Sequence, residues 1–229
     1  MLEVKNWQVY DLRECVIACR NAMRTDMPEY TEEEFQKGLE RAKSLVKANK
    51  NNGGVSCHAN FRTGIRVSFD LKYTQYITKQ FQRYHWFDYV SSSSLMHRIT
   101  KMDFSKCCNK YVDIRAIELM KELIDNYNTI SENVPNPIMY SEIAALDVSE
   151  ILYAEALSKY KQEVYEAWMR IISNCPMGCE LFVRVSTNYE QLATIYRQRK
   201  EHRLKEDWGA FIDFIKQLPY AKELIIGNY

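Results

Sequence analysis

From about Ser141 to Ser173 the chain runs through SEIAALDVSEILYAEALSKYKQEVYEAWMRIIS without a glycine or a proline, and then meets Asn-Cys-Pro. An uninterrupted stretch of this kind predicts one long helix. Pro176 marks its stop, because a proline disfavours helical backbone in the residue before it. With only 7 glycines and 5 prolines in 229 residues, the rest of the chain also has room for long helices.

Shorter patterns fill in the other elements. LEVKNWQVY reads as a strand, and DLRECVIACRNAM as a helix with Asp11 as its N-cap. Thr31 followed by Glu34 forms a capping box before FQKGLERAKSLVKA, and NKNNGG breaks that helix. In IRVSFDL, residues Ile65, Val67, Phe69 and Leu71 alternate onto one face, which is a strand pattern. The segment Tyr73–Trp86 reads as helix, VDIRAIELMKELIDNY as an amphipathic helix and NVPNPIMY as a loop. After the long tract, ELFVRVS alternates as a strand, and helices follow at about Tyr189–Arg203 and Asp207–Leu218. With no repeat and no long linker, residues 1–229 read as a single helix-rich α+β domain.

A net charge of +1 argues against general attraction to nucleic acid. No apolar run is long enough to span a membrane. The seven cysteines, Cys15, Cys19, Cys57, Cys107, Cys108, Cys175 and Cys179, include no C-x-x-C pair. An odd number suits a reducing compartment, so a cytoplasmic protein is expected. Cys15/Cys19 and Cys175/Cys179 share a four-residue spacing that a helical face can present, but this matches no familiar zinc pattern, and no metal is expected.

The most informative stretch is NCPMGCELFVRVSTNYEQLATIYRQRKEHRLKEDWGAFIDFIKQLP. Asn188 falls where a strand ends and a helix begins, so its side chain can cap that helix while neighbouring N–H groups face an anion. Arg199 lies about three turns further along the same helix. Arg197, Lys200, His202, Arg203 and Lys205 make the next turn strongly basic. A phosphate would find donors here, and arginine fits it with two parallel hydrogen bonds. A solvated basic helix end that complements the helix dipole explains the same residues.

Pro176, the strand around Leu181–Val185, Asn188, Leu192, Arg199 and Trp208 together resemble the C-terminal motif of the flavin-dependent thymidylate synthases, the thymidylate-synthase-complementing family. The opening strand and helix with Ala-Cys-Arg (Arg20), and Gly54, Ser56 and His58 before a strand, resemble that family's opening half. Its Arg-His-Arg, seven residues and Ser-x-Arg-Tyr signature resembles QFQRYHWFDYVSSSSLMHR. Without a gap, His85 takes the central histidine, Ser94 the serine, and Ser91 and Ser92 an Asn-Glu. Tyr84 and Trp86 then stand at the two motif arginines, and Met96-His97 at the Arg-Tyr. Arg83 and Arg98 are each one residue away from a lost arginine, which on a helix is a turn of about 100°. A gapped register that restores either one stays open. Glu190 replaces an arginine of the family, a carboxylate that would repel phosphate.

The resemblance implies a thymidylate-synthase-complementing fold, helix-rich with a small, mainly antiparallel sheet, assembled as a homotetramer across the Ser141–Ser173 tract. It implies methylation of dUMP to dTMP, with methylenetetrahydrofolate as carbon donor, reduced FAD as hydride source and NADPH as reductant. Ser94, Arg199, Arg98, Arg83 and His202 would contact the nucleotide, and His85, Asn188, Ser56 and His58 the cofactor. No catalytic group is identified. Two alternatives remain: a flavin-free enzyme acting on a pyrimidine nucleotide, such as a hydroxymethyl transferase, and a non-catalytic nucleotide-binding protein. A hydrogen-bonding or plain loop role for Ser94 is preferred to a nucleophilic one, since no His–Asp relay is readable beside it.

Overall fold

A computed structural model describes residues 2–51, 57–141 and 146–227. The chain forms two compact units. One is built from residues 1–93 and 181–229, and the other from Ser94–Glu180 between them.

The first unit carries a four-stranded sheet of β1 (Glu3–Tyr10), β2 (Arg66–Thr74), β3 (Asp88–Ser92) and β4 (Glu180–Asn188), in the order β1-β2-β4-β3. The pairs β1–β2 and β3–β4 are antiparallel, and each carries a register shift. In β1 the shift falls between Lys5 and Gln8, where Asn6 takes a left-handed φ of 50° that asparagine tolerates. The alternation predicted in β2 is real: Ile65, Val67, Phe69 and Leu71 are fully buried, and Val183 and Val185 of β4 join them on the same face. That face is covered by α1 (Leu12–Ala18), α2 (Glu32–Asn51) and two helices after β4, with Val16, Ile17, Phe35, Leu39, Leu192, Ile195, Phe211 and Ile215 in one core. Gly38 permits the close approach of α1 and α2, since a Cβ there would lie 2.5 Å from the Val16 carbonyl oxygen.

Local signals account for most boundaries, with three corrections. Asp11 precedes α1 but makes no side-chain cap; its φ of 56° turns the chain, and its carbonyl accepts from the Cys15 N–H at 3.0 Å. Of the capping box, only the Thr31 half forms, its Oγ1 accepting from the Glu34 N–H at 3.2 Å. The Glu34 carboxylate is taken by Arg20 and Arg24 instead. The helix expected over Tyr73–Trp86 is mostly absent: β2 continues through Thr74, and only a 3₁₀ turn at Gln75–Ile77 and the short helix Thr78–Phe81 follow. The buried Phe81 and Phe87 rings stack at 4.9 Å, and a turn, not a helix, brings both into the core.

The second unit is built on α3 (Ile114–Glu132), capped by Asp113, and the long α4 (Leu146–Asn174), which pack on one another. NVPNPIMY is loop over 133–136 and then a short helix, Pro137–Ser141. Its core gathers Ile99, Phe104, Met120, Ile124, Ile171 and Cys179. No helix among the described residues is long and apolar enough to cross a membrane.

Candidate functional site

The site grows from the end of β4. Thr187 and Asn188 are buried where the strand gives way to α5 (Tyr189–Arg199). The Asn188 side chain accepts from the Gln191 N–H at 2.8 Å, the cap expected of it. The segment after Phe81 is stitched to this junction from across the chain. Thr187 Oγ1 donates to the Trp86 carbonyl at 2.6 Å, and the Trp86 N–H donates to Gln191 Oε1 at 3.2 Å. His85 and Trp86 are therefore held on the outside of the strand–helix junction, both exposed, with their rings 5.5 Å apart.

Tyr84, at a motif arginine position, turns inward. It is buried, its ring packs edge-on to Trp208, and its hydroxyl accepts from Arg199 Nε at 2.7 Å and donates to Gln198 Oε1 at 3.2 Å. The Arg199 guanidinium also lies over the Trp208 ring, 4.8 Å from its centroid. Trp208 belongs to α6 (Lys205–Gln217) and is completely buried; its indole N–H donates to Gln80 at 3.1 Å. Arg199 is thus fixed by an acceptor at Nε and an aromatic face, with no carboxylate paired to it among the described residues. Its two terminal nitrogens, the ends that grip a phosphate, carry no protein partner there.

His202 stands beside this group. Its ring lies 6.0 Å from that of Trp208, and its Nδ1 accepts from the Leu204 N–H at 3.2 Å. Burial first, then the charges of Arg199 and Arg203, hold its pKa below the ordinary histidine value. A neutral imidazole next to a cationic arginine follows from both causes.

Glu190 does not act as the bare carboxylate that the sequence suggested. It pairs at 2.5 Å with Arg62, a fully buried guanidinium that also donates to the Leu224 carbonyl at 3.3 Å. Its charge is spent on a structural ion pair. No sequence pattern points to this partner, which comes from the short helix Phe61–Gly64.

The remaining expected residues are dispersed. Arg83 is exposed, and the exposed His58 lies on a 3₁₀ turn, Cys57–Ala59. Ser56 lies outside the described residues. Ser94 and Arg98 belong to the second unit, where Ser94 precedes the short helix Leu95–Arg98 without capping it through its side chain. The first half of the serine run is strand: Ser91 and Ser92 pair with Arg184 and Val183, and Ser93, just beyond the strand, exchanges hydrogen bonds with Phe182. Two cavities of about 480 and 490 Å³ are lined by other residues, one by Met102, Phe104 and Lys121, the other by Lys5, Asp70 and Arg184.

No family model matches the sequence, and no curated protein is similar to it. Solved structures do match. Flavin-dependent thymidylate synthase ThyX from Helicobacter pylori, complexed with FAD and dUMP, aligns with a TM-score of 0.56 at 11% identity, over 98% of this chain and 97% of that one. A second structure of Thymidylate Synthase X from the same organism, with FAD and dUMP, gives a TM-score of 0.55 at 11% identity over 99% and 98%. The chain therefore has a ThyX-like fold, helix-rich with a small antiparallel sheet, as the sequence resemblance implied.

Proposed function

We propose that the chain binds a dUMP-like pyrimidine nucleotide and transfers a one-carbon unit to its C5, as a divergent relative of the flavin-dependent thymidylate synthases. The observation that carries this reading is Arg199: a guanidinium held by Tyr84 and Trp208, with its terminal nitrogens unpaired, at a position that matches the family's C-terminal motif. Phosphate on those two nitrogens would anchor the nucleotide, and charge-assisted bonds of this kind are the strong ones. Residues 1–229 act as one ThyX-like domain in this reading, supported by an alignment over nearly the whole chain. We assign the protein to the cytoplasm, without a nucleic-acid partner.

In the resembled family the Arg-His-Arg signature cradles FAD, and the residues at 84–86 do not fit that role. Tyr84 is turned into the core, and Trp86 offers a ring instead of a cation. This mismatch favours the second reading, a flavin-free transferase. The product follows from electron count. A methylene carried by tetrahydrofolate becomes a methyl group only if a hydride is added, whereas water gives hydroxymethyl. In either case the protein's own share is positioning and charge neutralisation around the nucleotide.

The test is the visible absorption spectrum of the purified protein after incubation with FAD and removal of the free cofactor, repeated with dUMP. A retained flavin whose bands shift with dUMP supports the synthase. Without retained flavin, folate-dependent exchange of the uracil C5 hydrogen supports the flavin-free transferase, and absence of both exchange and dUMP binding overturns the proposal.

A further inference from the structure

The thiols of Cys107, Cys108 and Cys179 lie within 4.8 Å of one another. Cys175 stands next to this group, its thiol close enough to that of Cys179 for each to perturb the other. All four belong to the second unit, whereas Arg199 belongs to the first. From this convergence we propose a structural metal site, one tetrahedral Zn²⁺ held by the four thiolates of Cys107, Cys108, Cys175 and Cys179.

The scaffold brings the two cysteine pairs together by backbone pairing rather than by a helical face. Cys175 follows the last turn of α4, and the chain turns back at once, with the Cys179 N–H donating to the Pro176 carbonyl at 2.9 Å. Cys108 and Cys179 form an antiparallel bridge, and the Asn109 N–H donates to the Gly178 carbonyl at 3.0 Å. Gly178 lets the two loops touch, since a Cβ there would meet Val112 at 2.5 Å and Asn109 at 2.9 Å. The Cys175/Cys179 pair, expected on a helical face where it matched no familiar zinc pattern, instead spans a turn, and there its C-x₃-C spacing is one that zinc sites use.

Size and chemistry select the ion. A metal–sulfur bond of about 2.3 Å in a tetrahedron sets sulfur–sulfur edges of about 3.8 Å. Three of the thiols lie within 4.8 Å of one another, so rotamer changes that draw the sulfurs in by about 1 Å and swing Cys175 onto the fourth corner would seat a single ion. An all-thiolate tetrahedron selects zinc or an iron–sulfur centre, and a set this tight fits one ion better than a multi-iron cluster. On binding, each thiol releases its proton to solvent and donates a lone pair to the metal, with no change of oxidation state. Arg98, within electrostatic reach of Cys107, offsets part of the resulting negative charge. The site closes at the edge of a small core, where a metal ties α4 to the loop before α3.

The full chain, purified under reducing conditions without chelators, is analysed for metal by mass spectrometry and then reloaded with Co²⁺. We expect one zinc per chain and, with Co²⁺, intense thiolate-to-cobalt charge transfer together with the visible bands of a tetrahedral ion. Cys107→Ser and Cys179→Ser should lose the bound metal, while Cys19→Ser should retain it. Because a ligand variant can fail to fold, the wild-type cobalt spectrum stands as an independent readout. Absence of bound metal with four freely titrating thiols, a mass two hydrogens lower from a disulfide, or iron with acid-labile sulfide would each overturn the assignment.

Discussion

Arg199 shows how far one side chain's role depends on its neighbours. By itself it is one of several cations in a basic turn, but the Tyr84 hydroxyl and the Trp208 ring fix its direction. If it anchors the nucleotide, Arg199→Ala should weaken dUMP affinity ten-fold or more, about 1.4 kcal/mol, in a calorimetric titration. Unchanged affinity would remove Arg199 from the site. Tyr84→Phe, which removes the acceptor at Nε, should weaken binding by less, since the aromatic contact persists. His202 adds a pH dependence. Its folded pKa is lowered, so its contribution to stability is complete above the unfolded value of about 6.5 and is lost as pH falls through the folded value. The melting-temperature advantage of wild type over His202→Gln should therefore hold at neutral pH and shrink below about pH 6.5. A gap that does not change with pH would contradict this.

Among the elements, the junction of β4 and α5 does the most to build the site. It caps its helix with Asn188, docks the Trp86 segment through Thr187 and Gln191, and anchors the short helix Phe61–Gly64 through the Arg62–Glu190 pair. Removing one partner of a buried ion pair leaves the other charge stranded, so Glu190→Gln should destabilise the fold by about 3 kcal/mol in denaturant titration. A loss under about 1 kcal/mol would show that the pair is effectively solvent-screened. The same elements show where local patterns are enough. The Asn188 cap and the alternation of β2 are set by residues a few positions apart, and both are legible. The supposed helix over Tyr73–Trp86 is not, because bonds from Thr187 and Gln191, about a hundred residues away, hold that segment in a turn.

For the whole molecule, the surface of α4 bears on assembly. On α4, Val148, Ile151, Leu152 and Tyr165 are all exposed, an apolar surface along the element expected to mediate subunit contact. Mass photometry should report four chains per particle, and Ile151→Glu should shift the distribution to smaller species. A monomeric wild type would reject the homotetramer implied by the resemblance.

The sequence by itself determined most of the element types, the buried face of β2, the Asn188 cap and the resemblance that implied a ThyX-like fold. These rest on interactions within a turn or a strand, where residue order is spatial order. Tertiary structure alone decided that Tyr84 faces Arg199, that Glu190 is neutralised by Arg62 and that Cys107, Cys108 and Cys179, from two distant segments, meet. Such pairings depend on where the chain returns after a long excursion, and a linear pattern carries no record of that path.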